Sequence, residues 1–160
     1  MGLDMYLNAR QFMSPYLDDK DGARINKINK MFDLKKVDHF DRPIAANTVI
    51  FEIAYWRKAN AIHNYIVETH ADGRDECQEI GLSRDSLHTL REMCKLAIDG
   101  YVQDNSLTFA EEHLPTTSGF FFGSTEYDEW YFRDLANTVD IIDRCLADEA
   151  NDWFIYRASW

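Results

Sequence analysis

The chain has 160 residues, 46% of them hydrophobic and 14% aromatic, enough apolar material for one globular domain with a sizeable core, so disorder is not the default reading. Its formal charge of −11 is uneven, with ten Lys and Arg against eight Asp and Glu in residues 1–60 and seven against twenty in residues 61–160. Phosphate-backbone binding needs clustered cations, and only Lys20, Arg24, Lys27, Lys30, Lys35 and Lys36 supply a cluster, interleaved with Asp18, Asp19, Asp21 and Asp33, so general nucleic-acid binding is disfavoured.

Residues 2–8 alternate, with Leu3, Met5 and Leu7 on one side and Asp4, Tyr6 and Asn8 on the other, which is the period of a half-buried strand. Residues 12–47 are less regular: Ile25, Ile28, Met31 and Phe32 suggest a short helix between Asp-, Lys- and Pro-containing flanks, and the stretch reads as an insertion. A second strand is predicted over 48–56, with Val49, Phe51, Ile53 and Tyr55 on one face and Ile50, Glu52, Ala54 and Trp56 on the other. Helices are predicted over 57–70 (Ala59, Ile62, Ile66, Val67) and 83–102 (Leu87, Leu90, Cys94, Ala97, Ile98, Tyr101). A third helix is predicted over about 126–148, because Phe132, Leu135, Val139, Ile142 and Leu146 step by three and four and Thr125 with Asp128 approximates a capping box. Residues 153–160 form a third β-prone run that ties the chain's end into the sheet. The expectation is a single α+β domain: a small antiparallel three-stranded sheet of N-terminal, central and C-terminal strands, covered by three to four helices. Trp153, Phe154, Tyr156 and Trp160 put rings on both faces of the last strand, which leads us to expect a homo-oligomer.

Cys77, Cys94 and Cys145 are odd in number and widely spaced, with no CxxC or Cys/His ligand pattern, which argues against a disulfide framework and a zinc site. The N-terminal residues lack the basic and apolar regions of a signal peptide and no run approaches a membrane span, so a cytoplasmic protein without membrane partners is expected.

Two segments stand out. In Gly119-Phe120-Phe121-Phe122-Gly123 a glycine-bracketed aromatic run leads through Ser124 and Thr125 into a helix, and three consecutive rings must divide between core and surface. In Tyr55-Trp56-Arg57-Lys58-Ala59-Asn60-Ala61-Ile62-His63 a strand passes into a helix, and helical spacing aligns Trp56, Asn60, His63 and Val67 beside two cations. A ligand held between the segments would meet Tyr55, Trp56, Arg57, Lys58, Asn60 and His63 from one, and Phe121, Gly123, Ser124, Thr125, Tyr127 and Tyr131 from the other. The loop before a helix offers backbone N–H groups to an anion, but it lacks the P-loop lysine, and Glu126, Asp128 and Glu129 already neutralise the helix dipole.

The motifs MGLDMYL (1–7), YWRKAN-x-IH (55–63), LPTTSGFFFGSTEYDEWYF (114–132) and the final SW together resemble a family of uncharacterised small proteins encoded by bacteriophages and prophages. The resemblance implies a phage accessory protein in the host cell cytoplasm and assigns no catalytic residues. The expected activity is binding: countering a host process or defence system by sequestering a nucleotide-like ligand or a host protein, with no cofactor and no metal. An alternative is a small nucleotide-directed hydrolase or transferase with His63 as base, Asp128 or Glu52 orienting it, and Ser118, Ser124 or Thr125 in the 118–128 loop as nucleophile. A divalent-cation site from Asp4, Glu52 and His63 is weaker still, and a third reading is a structural or assembly accessory.

Overall fold

A computed structural model describes residues 2–14, 19–33, 46–149 and 153–160. Lys35 and Lys36 of the basic cluster, and part of the 12–47 stretch, lie outside the described residues. The chain divides into two compact units, one of Met1–Ala9 with Glu52–Trp160 and the other of Arg10–Phe51. The fold is α+β, with four strands and five helices among the described residues, in the order β1 (Asp4–Phe12), α1 (Asp19–Met31), β2 (Thr48–Arg57), α2 (Asn60–His70), β3 (Ile80–Ser83), α3 (Arg84–Asp104), α4 (Thr108–His113), α5 (Glu129–Ala147) and β4 (Trp153–Ser159). The expected three strands and three to four helices therefore need correcting by β3 and α4.

In the larger unit the alternation of the first strand decides the sheet. Leu3, Met5, Leu7 and Ala9 are fully buried while Asp4, Tyr6 and Asn8 are only half-buried. The sheet order is β2-β1-β4-β3, and β1 runs antiparallel to β4 with Asp4 opposite Ser159 and Ala9 opposite Phe154. The edge strand β3 pairs with β4 in the same sense, from Ile80 opposite Tyr156 to Ser83 opposite Trp153. A glycine weakens a strand by leaving no side chain to pack. Here Gly81 makes room for Trp153, whose ring occupies the place of a side chain, since a Cβ on Gly81 would come within 2.4 Å of Trp153 Cζ2. Cross-strand packing of this kind lets a four-residue strand persist where local propensity alone does not.

Helices α2, α3 and α5 pack with the sheet in one apolar cluster that includes Ile62, Ile66, Leu87, Leu90, Leu135, Ile142, Phe154 and Tyr156. Helix α3 opens with a capping box, Ser83 accepting from the Ser86 backbone N–H and Ser86 from that of Ser83, and closes on Asn105 in the left-handed conformation. Arg84 donates to the carbonyls of Leu146 and Asp148 and so caps the end of α5. The face of α5 turned inward is Tyr131, Leu135, Thr138, Ile141, Ile142 and Cys145. It lies about a third of a turn from part of the predicted stripe, so Phe132, Val139 and Leu146 are half-buried at its margin. A polar residue belongs on that face because Thr138 Oγ1 accepts the Trp56 indole N–H at 3.0 Å and donates to the Asp134 carbonyl at 2.7 Å, leaving neither group unsatisfied.

The smaller unit holds α1, whose Ile25 is buried at 4% exposure. Asp21 accepts from the Ser14 backbone N–H at 3.2 Å, Asn29 from that of Ala46 at 3.1 Å, and Met13 N donates to Asn47 O at 2.8 Å.

Candidate functional site

The strand-to-helix junction turns because Lys58 adopts a left-handed φ of 61°, unusual for a side-chain-bearing residue. Two backbone bonds hold it there, Lys58 N to Leu3 O and Asn60 N to Lys58 O, each 2.8 Å. The aromatic loop contains the matching feature, with φ of 63° at Phe121 and 98° at Gly123. Backbone strain of this sort survives only when the surroundings fix it. The fixing residue is Asn60, buried to 4% exposure. Its Nδ2 donates to the carbonyls of Ser124 at 2.8 Å and Phe122 at 3.3 Å, and its Oδ1 accepts from Thr117 N at 3.2 Å. Both segments singled out by the sequence are thereby bound to each other.

Two clefts flank this clamp. The first, of about 340 Å³, is lined by Arg57, Lys58, Asn60, Ala61 and Ile62 from the junction and by Thr116, Gly123, Ser124, Glu126, Asp128, Trp130, Tyr131, Asp134 and Leu135 from the loop and α5. The second, of about 380 Å³, is lined by His63, Glu68, Gly73 and Asp75 together with Thr117, Ser118, Gly119, Phe120, Phe122 and Trp160.

Of the residues predicted to meet one ligand, Arg57, Lys58, Asn60, Gly123, Ser124 and Tyr131 share the first cleft and His63 stands in the second. Tyr55, Trp56, Phe121, Thr125 and Tyr127 line neither. The stripe Trp56, Asn60, His63 and Val67 faces inward, each residue at most 4% exposed. Tyr55 is exposed and donates to Asp4, an interaction that raises its phenol pKa above the ordinary value. Tyr127 packs edge-on against Tyr131 with centroids 4.8 Å apart, and Thr125 O accepts from the Thr116 hydroxyl at 2.9 Å. The phenylalanine run divides, Phe122 being 6% exposed while Phe121 and Phe120 are 52% and 68% exposed.

Asp128, rather than Thr125, caps α5, accepting from the backbone N–H groups of Trp130 at 2.9 Å and Tyr131 at 3.1 Å. That leaves Thr125 outside the helix and spends the dipole on Asp128. The buried Tyr131 hydroxyl donates to Leu114 O at 2.9 Å, and burial raises its phenol far above the ordinary range. The residues of the first cleft that the sequence did not offer to a ligand include Trp130 and Asp134. Trp130 is 65% exposed, with the Arg133 guanidinium 5.1 Å from its ring centroid. Asp134, one turn further on, has its carboxyl pushed up to about 6, first by burial and then by the Asp128 charge, against the pull of Arg133. Their i, i+4 spacing, which puts both on one side of α5, was the available signal.

His63 is engaged at both ring nitrogens, Nδ1 lying 2.7 Å from the Tyr156 hydroxyl and Nε2 3.0 Å from Asp75 Oδ2. A carboxylate only accepts, so Nε2–H donates to Asp75 and Nδ1 of the neutral imidazole accepts from the Tyr156 hydroxyl, whose phenol burial raises well above its ordinary value. The carboxylate that orients His63 is thus Asp75, replacing the Asp128 or Glu52 expected for a catalytic arrangement. Asp4 instead meets Tyr55 and Arg57, and among the described residues no three His, Cys, Asp or Glu side chains gather in a metal-ligating group. Among the described residues no helix is long and apolar enough to cross a membrane. Phe154 and Tyr156, two of the rings expected to drive self-association, lie in the core; Trp153 covers Gly81, and Trp160 lines the second cleft. Compared with protein-family models, curated proteins and solved structures, the chain shows no match, so what the clefts can do follows from their own geometry.

Proposed function

We propose that this chain acts by binding, taking a nucleotide-like small molecule into the first cleft. The observation behind the reading is that the junction of residues 57–62 and the loop and helix of residues 116–135 close around one concave space of about 340 Å³. That is within the size range of small-ligand sites. Its chemistry is divided: Arg57 and Lys58 stand on the junction side, while Glu126, Asp128 and Asp134 stand on the loop and helix side, with Ile62, Leu135 and the Trp130 ring as apolar walls. A nucleotide matches each part, with phosphate toward the cations, sugar hydroxyls or a base amino group toward the carboxylates, and a base face toward Trp130. A plain polyanion matches only the first part and is repelled by the second.

Binding is favoured over turnover because the His63 nitrogen not held by Asp75 meets the buried Tyr156 hydroxyl rather than Ser118, Ser124 or Thr125. The motifs' resemblance to phage-encoded small proteins supplies the proposed setting, a host cell in which holding a nucleotide-like molecule counters a host process. Capture of a host protein is the second reading, favoured by the exposed Ile53 and Tyr55 on the edge strand β2. Calorimetric titration with nucleoside monophosphates, diphosphates and cyclic nucleotides tests the proposal. Saturable binding by at least one of them, weakened about tenfold or more in Arg57→Ala and Asp134→Asn, supports it. No binding by any of them up to about 1 mM overturns it.

A further inference from the structure

The second cleft has a different chemistry from the first. Three aromatic rings, Phe120, Phe122 and Trp160, stand around it with two carboxylates, Glu68 and Asp75, and among the described residues no Lys or Arg lines it. We propose that this cleft is a receptor for an organic cation, a guanidinium or alkylammonium head group.

The faces of aromatic rings carry negative potential and attract soft, weakly hydrated cations, while carboxylates supply the countercharge. An anion meets two like charges here, and a neutral apolar ligand strips water from the carboxylates without replacing it. A bare metal ion finds no three-ligand group among the described residues. The carboxylates are held ready. Asp75 is fixed by His63 Nε2 at 3.0 Å on one oxygen and by the Trp160 indole N–H at 3.3 Å on the other, and each oxygen keeps a lone pair for an incoming donor. Glu68 forms no ion pair among the described residues. It sits against Gly73, whose φ of 72° suits glycine and where a Cβ would lie 3.3 Å from Glu68 Oε1.

The rings are also placed before any ligand arrives. Phe122 is anchored in the core and stands edge-on to His63 at 5.4 Å and to Trp160 at 6.1 Å between centroids. Phe120 is 68% exposed, its ring touching only Phe121 at 4.3 Å among the described aromatic pairs. Phe120 lines the cleft with most of its ring in solvent, apolar surface that a bound organic cation covers. The strong acidic excess of residues 61–160 draws cations toward this part of the chain.

The test follows the Trp160 indole N–H resonance by NMR during titration with butylguanidinium, tetramethylammonium, the neutral isostere butylurea, and a capped tripeptide with a central arginine. The expected result is a saturable shift with the cations and none with butylurea. Phe120→Ala and Glu68→Gln, both changes to exposed side chains, are each expected to weaken cation binding about fivefold or more with unfolding midpoints unchanged. If the peptide binds about tenfold more tightly than butylguanidinium, the natural cation is a protein side chain; equal affinity assigns it to a free small molecule. Absence of a saturable shift with every cation, or an equal response to butylurea, overturns the proposal.

Discussion

Replacing Asp134 by Asn separates stability from binding in one substitution. The Asp134 carboxyl is raised from 3.8 to about 6, chiefly by burial beneath the first cleft. Between these values the folded chain binds more protons than the unfolded one, so stability falls as pH rises through that window and the penalty is complete above about pH 6. A shift of this size converts at roughly 1.4 kcal/mol per pH unit, but Asp134 is only half-buried and water screens it, which leaves about 1–2 kcal/mol. Asn keeps the shape and removes the charge. Urea unfolding of both proteins at intervals from pH 4 to pH 7 is therefore expected to show Asp134→Asn more stable at pH 7 by about 1 kcal/mol, with the difference vanishing near pH 4. The same variant is expected to lose nucleotide affinity, a site residue being retained at a cost in stability. A variant that is less stable at pH 7 shows Asp134 paired in the folded chain, and an advantage constant across the range shows that its charge is not the source; either result contradicts a raised, burial-strained carboxyl.

Asn60→Ala removes three hydrogen bonds to the loop, one of them to the buried Phe122 carbonyl, so it is expected to cost about 1–3 kcal/mol and to speed proteolysis within residues 117–124; an unchanged urea midpoint contradicts the clamp. Lys58→Gly relieves the left-handed backbone and is expected to stabilise by up to about 1 kcal/mol while weakening nucleotide binding, and a loss of stability counts against the junction geometry. Gly119→Ala places a Cβ 2.6 Å from the buried Phe122 ring and is expected to destabilise by about 1–3 kcal/mol in the same assay, whereas a neutral result means the loop turns differently.

The parts of the fold legible in the sequence are those governed by local periodicity. Leu3, Met5 and Leu7 alternate and are buried, and the long helices follow their three- and four-residue steps. What was not legible depends on distant partners. Strand β3 contains Gly81 and persists through Trp153, which is 72 positions further along the chain. The inward turn of Thr138 depends on the Trp56 indole, 82 residues away. The edge position of β2 leaves Ile53 and Tyr55 exposed although their alternation reads like that of a core strand. In the candidate site, both segments were recognisable from composition, but the assignment of His63 was not. Its partner Asp75 sits in an irregular connection between α2 and β3 with no periodic signal, and only the packing of β4 brings Tyr156 to its other nitrogen. Likewise, helical spacing offers Asn60 to a ligand, whereas its polar atoms are spent on the loop carbonyls and Thr117 N.

Native mass spectrometry of the untagged protein, purified gently from the cells that make it, tests ligand capture most directly. An adduct of nucleotide mass is expected on the 18.7 kDa chain, released on denaturation and absent from an Arg57→Ala, Lys58→Gly double variant that folds normally. A chain that arrives bare, and stays bare after incubation with a nucleotide extract of the same cells, contradicts it.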